Sequence, residues 1–470
     1  MEMGNCYHTP SKVDCRGPYH CRNTAMRCNL VQNPGFEANL SGWATNNVVT
    51  TNYKPLEGTA SARMGSGFAS MFQDVSLTGI SNKALLLIFE VVATAPEGGS
   101  KFSDMIVEVL WLDMAGNEIG RGLRVLLPNA GSYSRSIFLN VTDRSPKNAT
   151  KARLLFSKQE DLTTPNFLDI DHIVLTPADS INLLQNPGFQ SGLMNWNASE
   201  VIPGSLPFEG TSEALFDENG TLYQDVDITR KTRFPFLLSF TVFGEGSLNA
   251  QVIWLDGLNN PIASPGLSLF IPSLTFNAYL PCLAVTKPAP VNAVKARVLF
   301  TSSTAIGTRV HFDNVMLIPV QSANLIQNPS FESGLIDWNS FQTSIITPDP
   351  NNAYEQEKYA KMGTSGFLIQ DVSLDRQGCC YLFSFGCRST SGYSNLLAEV
   401  RWLDVKGNEI GLGLNLIVTE RSSSWIPYYG VTEPAPPGAV RAKVLFSLQG
   451  GIIELDQIVF TCLSSCASTC

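Results

Sequence analysis

The hydrophobic positions of this chain gather in short runs, "LLLIFEVVA" at 85–93, "MIVEVLWL" at 105–112 and "KARLLFS" at 151–157, each fenced by Gly, Pro, Asn and Ser. Runs of that length, rich in Val, Ile, Leu and Phe and punctuated at that spacing, predict the strands of a β-sandwich. Amphipathic helical periodicity is not evident. The punctuation itself repeats. "NLVQNPGFEANLSGW" at 29–43 returns as "NLLQNPGFQSGLMNW" at 182–196 and "NLIQNPSFESGLIDW" at 324–338. Four more phrases follow each copy in the same order, beginning "MFQDVSL" (71), "WLDMAGNEIG" (111), "KARLLFS" (151) and "IDHIVL" (170) in the first. Asn33, Asn186 and Asn328 stand 153 and 142 residues apart, so the repeating unit is a domain and not a solenoid turn.

The expected organisation is an all-β chain with an N-terminal arm over 1–28, sandwiches over 29–179, 180–321 and 322–461, and a tail over 462–470. In "NPGF" the Pro fixes φ and the Gly permits a positive φ, which predicts a sharp turn before Phe36 enters the core. "VTKPAPVNAV" (285–294) and "VTEPAPPGAV" (431–440) read as matching rim loops. The linkers "TPADSI" and "IPVQSA" are short, which predicts a stiff row of three domains.

Composition narrows the function. The 470 residues carry a net charge of −9 with no Lys/Arg-rich run, which argues against a nucleic-acid partner. The longest apolar run, "ALLLIF", is far below the ~20 residues of a membrane span. The first residues contain no apolar core of a secretion signal, so the expectation is a soluble protein without a recognisable signal peptide.

The order NPGFE…GW, a QDV strand, PAPxxAxxARVLF and a closing I/F/L-D-x-V/I strand resembles the jelly-roll β-sandwich of the carbohydrate-binding module superfamily, of the family 4, 9 and 22 type, three times over. The resemblance implies tandem jelly rolls. It also implies a structural calcium ion held by the Glu of NPGFE and the first Asp of the closing strand: Glu37 with Asp171, Gln190 with Asp313 and Glu332 with Asp456. Gln190 brings an amide where the other two bring a charge. The competing reading has these side chains accept hydrogen bonds from nearby backbone amides. No other cofactor is expected.

Six of seven Trp fall at matched positions: Trp43, Trp196 and Trp338 after the first phrase, and Trp111, Trp254 and Trp402 opening "WLD". A residue that three domains demand identically is expected in the core. Trp425 aligns with Tyr279 and Arg135, and no repeated pair of surface aromatics is left for a sugar ring. Catalysis has equally little to stand on. His8 and His20 lie in the arm, His172 and His311 do not recur, and Asp113, Asp256 and Asp404 read as turn caps, so no active site is expected.

The cysteines crowd the ends. Cys6, Cys15, Cys21 and Cys28 precede the first domain, and Cys462, Cys466 and Cys470 close the chain. A rival reading makes Cys6, His8, Cys15, His20 and Cys21 a zinc site, but the spacing does not match a common zinc ribbon and favours disulfides. Domains of this size need no staple, so thiols at both extremities of a row predict links between chains: a homopolymer joined head to tail. The function expected on these grounds is a non-enzymatic, disulfide-cross-linked subunit of an extracellular filament or a spore-surface coat. By analogy, such a layer is deposited inside the mother cell and needs no export signal. The alternative is a soluble multi-module, lectin-like protein whose partner is a surface polysaccharide.

Overall fold

The computed structural model describes residues 27–465 apart from 53–54, 56–57, 95–103, 129–135, 161–166, 263, 273–275, 306, 347–348, 350–351, 377, 392–394 and 419–421. All regular structure among the described residues is β, arranged as three sandwiches of the jelly-roll type. In the first domain the strands are β1 (Ala44–Asn46), β2 (Val48–Thr51), β3 (Ser61–Met64), β4 (Ala69–Ser76), β5 (Ala84–Thr94), β6 (Met105–Leu112), β7 (Glu118–Leu127), β8 (Ser136–Val141), β9 (Lys151–Lys158) and β10 (Phe167–Ala178). They form an outer sheet in the order β1-β4-β9-β6-β7 and an inner sheet in the order β2-β3-β10-β5-β8. The other two domains repeat this order, with one long strand, Glu213–Asp227 or Tyr359–Ser373, serving as the counterpart of β3 and β4 together.

The repeated phrases are the joints of each sandwich. The buried Gln of "QDV" pins the first phrase with two hydrogen bonds: Gln32 N donates to Gln73 Oε1 (2.7 Å) and Gln73 Nε2 to Gln32 O (3.0 Å). Gln224 does the same for Gln185, and Gln370 for Gln327. The turn in "NPGF" departs from expectation. The positive φ falls on Asn33 (51°) and Phe36 (59°), as it does on Asn186 with Phe189 and Asn328 with Phe331, while Gly35 is not among the positive-φ residues. A residue with a Cβ can therefore stand at the Gly position, and the third copy has Ser330 there.

All six repeated Trp are buried. Trp111, Trp254 and Trp402 each lie against a glycine in, or just before, the adjoining outer strand, where a Cβ on Gly122, Gly266 or Gly413 would stand 2.4–2.7 Å from the indole. Trp43, Trp196 and Trp338 tilt against Phe36, Phe189 and Phe331 and donate Nε1 to the carbonyls of Asn33, Asn186 and Asn328.

The domains do not form a row; they close into a ring. Strand β8 lies against Phe276–Val285 and Arg309–Pro319 of the second domain; Phe276–Val285 lies against Ile426–Val431 and Ile452–Ser465 of the third; and Ile426–Val431 lies against β10 of the first. The physical reason is that each inner sheet is apolar on both faces. Leu85, Leu87 and Phe89 fill the first domain's own core, while the alternate residues Leu86 and Ile88 join a shared centre with Leu237, Leu283, Met316, Leu382 and Val459. A row would leave that second face in water, at roughly 25 cal/mol per Å² of apolar surface.

Two disulfides complete the closure, and they correct the expectation that Cys28 and Cys462 link separate chains. Cys28 is bonded to Cys380 (Cα–Cα 5.5 Å) and Cys379 to Cys462 (Cα–Cα 5.9 Å), all within one chain. Cys28 precedes Asn29 as Ile181 precedes Asn182 and Ala323 precedes Asn324, so it occupies the place where a linker enters the other domains. The first and second domains, and the second and third, are joined by peptide; the third returns to the first through Cys462, the neighbouring pair Cys379–Cys380, and Cys28. Cys6, Cys15, Cys21, Cys466 and Cys470 lie outside the described residues.

Trp254→Ala is expected to lower the stability of the second domain by ~3–5 kcal/mol. Gly266→Ala should also lower it, because its Cβ meets the Trp254 ring at 2.4 Å. Calorimetry of the two variants checks this, with an unchanged melting profile as the contrary result.

Candidate functional site

Two sets of residues carry chemistry. The first lies where the closing strand breaks register. Each closing-strand Asp is followed by a residue in the left-handed region, His172 (48°), Asn314 (51°) and Gln457 (46°). The Asp caps that backbone: Asp171, Asp313 and Asp456 Oδ1 accept from the next N–H at 2.7–2.8 Å. Oδ2 of Asp313 accepts from Phe208 N (2.9 Å) and Glu209 N (3.0 Å), and Oδ2 of Asp456 from Tyr354 N (3.1 Å) and Glu355 N (3.0 Å). Two of the left-handed side chains reach across the ring at equivalent places. His172 Nε2 donates to Tyr429 O, and Asn314 Nδ2 to Leu139 O (3.4 Å).

The acids of the first phrase clamp the loop between the paired sheets. Glu37 Oε1 accepts from Thr59 N (2.7 Å) and Ala60 N (2.9 Å), and Gln190 Oε1 from Thr211 N (2.8 Å). Glu332 Oε1 accepts from Glu357 N (3.1 Å) and Lys358 N (2.8 Å). Burial works against the ionised form of Glu37, but its hydrogen bonds with Thr59 and Ala60 prevail and hold it below its usual range. Behind this clamp the second and third domains hold Asp313, Glu355 and Asp456 buried and Glu209 half-buried. Burial and the charge of Glu209 push Asp313 well above the carboxylate range, and burial pushes Glu209 up to about 7. Asp456 is raised by burial and by Glu355, which burial raises in turn.

A calcium ion needs hard oxygens, and Asp313 with Glu209, or Asp456 with Glu355, would have to hold it although both oxygens of each Asp already accept backbone N–H groups. Among the described residues no three acidic, His or Cys side chains converge as a metal-binding group, so main-chain carbonyls would have to complete the shell. Glu37, Gln190 and Glu332 spend oxygens on backbone amides.

The second set faces outward from the outer sheets. Tyr223 projects from the second domain between Asn197 on one side and Leu299 and Gln251 on the other. The next row across the same sheet is Ser199, Thr221, Thr301, Asn249 and Phe270. Arg297 lies 4.3 Å over the Tyr223 ring and is fixed there by two bonds to Asp225, at 2.7 and 2.9 Å. The first domain repeats the device with Arg153 over Phe72 (4.2 Å) and Asp74. In the third the corresponding row is apolar, Phe341, Phe367, Leu397 and Ile417 around Ser447.

This outward set was missed in the sequence. Its signal was the two-residue period of "LYQDVDI", which puts Tyr223 and Asp225 on the face opposite Leu222, Gln224 and Val226. Trp425 is no platform: it is buried, donates Nε1 to Asn352 O, and packs against Tyr354, Tyr359 and Arg388. Asp113, Asp256 and Asp404 accept from the N–H of Asn117, Asn260 and Asn408, and so cap their hairpins.

No family model matches the sequence, and no curated protein is similar to it. Solved structures do match. The CBM22-1–CBM22-2 tandem of Paenibacillus barcinonensis Xyn10C is 13% identical with a TM-score of 0.26, over 63% of this chain and 99% of that one. A structure described as Family 16 Carbohydrate Binding Module-2 is 20% identical with a TM-score of 0.26, over 32% of this chain and 99% of that one. The enzymatically active domain of tailspike protein 4 of Bacteriophage CBA120 is 18% identical with a TM-score of 0.26 over 30% of this chain, which spans only 21% of that one. The likeness to the binding modules is one of jelly-roll fold.

Glu209 takes up its proton in the folded state at about 7 and near 4.5 in an ordinary environment. Its contribution is therefore fully present below the lower value and is lost as pH rises through the upper one. In excess chelator the second domain should melt higher at about pH 5 than at about pH 7.5, by an amount on the order of 1–3 kcal/mol in stability. Glu209→Gln should reduce that difference, the remainder belonging to Asp313, which burial also raises. Added calcium should raise the melting temperature at neutral pH, in the parent protein and not in Glu209→Gln. Calorimetry at the two pH values checks both, and a pH-independent melt in the parent would remove the assignment.

Proposed function

We propose that the protein is a non-enzymatic carbohydrate-binding protein of an extracellular or surface setting, and that the outer sheet of the second domain bears the ligand. The observation that carries this reading is the band of amides and hydroxyls around Tyr223. The side chains of Asn197, Ser199, Thr221, Asn249, Gln251 and Thr301 stand on the outward face, and none of them makes a hydrogen bond among the described residues. A polysaccharide offers donors and acceptors at short intervals, with apolar C–H faces between them. Uncommitted amides and hydroxyls beside an aromatic ring match that pattern, whereas a protein partner would favour an apolar centre. The non-enzymatic part is supported by the position of the shifted acids, Glu209, Asp313, Glu355 and Asp456, which are spent inside the walls and absent from this face. Two disulfides support an oxidising, extracellular location.

A second reading, a structural subunit of a filament or spore-surface coat, is supported by Cys6, Cys15, Cys21, Cys466 and Cys470, five of the seven cysteines that neither bridge takes up. The ring geometry changes its form, because Cys28 and Cys462 are not at opposite extremities.

Affinity electrophoresis against a panel of soluble xylans, glucans and galactans tests the primary reading. One polysaccharide should retard the protein, and Tyr223→Ala and Gln251→Ala should each weaken that retardation about tenfold, the loss of a single stacking or hydrogen-bonding contact. Failure to bind across the panel, or binding indifferent to both substitutions, would overturn it.

A further inference from the structure

Ring closure leaves a cleft where the second and third domains meet. A cavity of about 200 Å³ lies there, between the strands Leu267–Ile271 and Phe276–Val285 on one side and the first phrase and closing strand of the third domain on the other. Its walls are pinned across the junction: Gln356 N donates to Phe270 O (2.8 Å) and Tyr354 Oη to Pro281 O (2.7 Å). The second domain's wall is apolar, with Leu267, Leu269 and Val285. The third domain's wall carries Glu332, Glu355 and Gln457, and among the described residues no Lys, Arg or His lines the cavity.

Gln457 decides what this cavity can do. It stands where His172 and Asn314 stand in the other domains, and those two reach across the ring to a carbonyl. The Gln457 side chain is only 7% exposed, lines the cavity, and makes no hydrogen bond among the described residues. A buried amide without a partner is destabilising, and a ligand that supplies one removes the penalty. Glu332 Oε1 holds the backbone N–H groups of Glu357 and Lys358, while its Oε2 takes no hydrogen bond among the described residues. Glu355 is buried and accepts from Ser330 Oγ and Gln356 Nε2, one bond per oxygen, with room at each for a second. Lys358 spends its ammonium on the Glu332 carbonyl (2.6 Å), outside the cavity lining.

We propose that this cavity is a binding site for a small primary alkylammonium ion, its head held by Glu332, Glu355 and the Gln457 amide oxygen and its stem laid on Leu267 and Leu269. An ammonium brings three donors to these acceptors, whereas an anion would meet two carboxylates and a neutral alcohol would bring one donor. At about 30 Å³ for a water-sized group, the volume takes roughly seven heavy atoms, the size of a chain of about five carbons with its nitrogen. The matching cleft between the first and third domains lacks the pattern, since His172 is already bonded there and the lining carries Arg27 as well as Glu433. The inference does not depend on whether the second domain binds sugar.

The test titrates the full chain with n-pentylammonium chloride by calorimetry, in excess chelator so that calcium plays no part. The expected result is saturable binding of one ion per chain with a dissociation constant in the low-millimolar range or below, and no saturable binding of n-pentanol. Gln457→Asn keeps a residue that tolerates the left-handed backbone but shortens its reach, and it should weaken binding about tenfold. Glu332→Gln keeps an oxygen for the loop clamp, as Gln190 does in the second domain, and by removing the charge should weaken binding by at least about tenfold. Leu267→Trp should fill the cavity and abolish binding, while Tyr223→Ala should bind the ion as the parent does. Each variant's melting temperature without the ion shows whether it is folded. No saturable heat from the parent, n-pentanol binding as tightly as the ammonium, or parental affinity in folded Gln457→Asn or Glu332→Gln would overturn the inference.

Discussion

Everything in the arrangement of this chain depends on the inner sheet of each domain being apolar on both faces. A sandwich needs only one face of each sheet for its own core, and the outer sheets obey that rule, with buried residues alternating with more exposed ones along β4, β9 and the first half of β6. The inner strands break it: β5 is buried without interruption from Ala84 to Val92. Three surplus faces of this kind can be hidden together only by meeting at a common centre, and a ring of three is the arrangement that hides all of them at once. Each edge strand then lies on the next domain's closing strand, and the last on the first.

A ring made from one chain has a defect that a symmetric trimer lacks, because two of its three junctions are peptide and the third is open. The vicinal pair Cys379–Cys380 repairs it by joining the last strand to Cys28, the residue just before the first domain. Closing so long a loop removes about 6 kcal/mol of unfolded-chain entropy in the loop-closure account. The same junction carries His172, whose ring meets Tyr429 O at the place where Asn314 meets Leu139 O.

The three copies keep their joints and change their skins. The Gln of QDV, the Trp of WLD with its facing glycine, and the closing Asp are retained because each is fixed by contacts inside the repeat. The outer faces have no such constraint, and they diverge into an aromatic–arginine ridge, an amide and hydroxyl band, and an apolar row. Differences of that kind are what allow one face to acquire a ligand without disturbing the other two.

The sequence by itself determined the class of fold, the threefold repetition and the residues of each joint, because these rest on local pattern: apolar runs, turn residues and phrases that recur in order. It also held the clue to the ring in "ALLLIFEVVA" and "CCYLFSFGC", since a strand with apolar residues on both faces and a single polar position leaves no face for water. What it could not supply was the partner for that face, or the fact that Cys28 meets Cys380, which lie 352 residues apart. The outward Tyr223 was hidden for the same reason, because strand phase fixes which side a residue takes only after the sheets have chosen their core. Long-range closure decided these points, and no local pattern encodes which distant surfaces will meet.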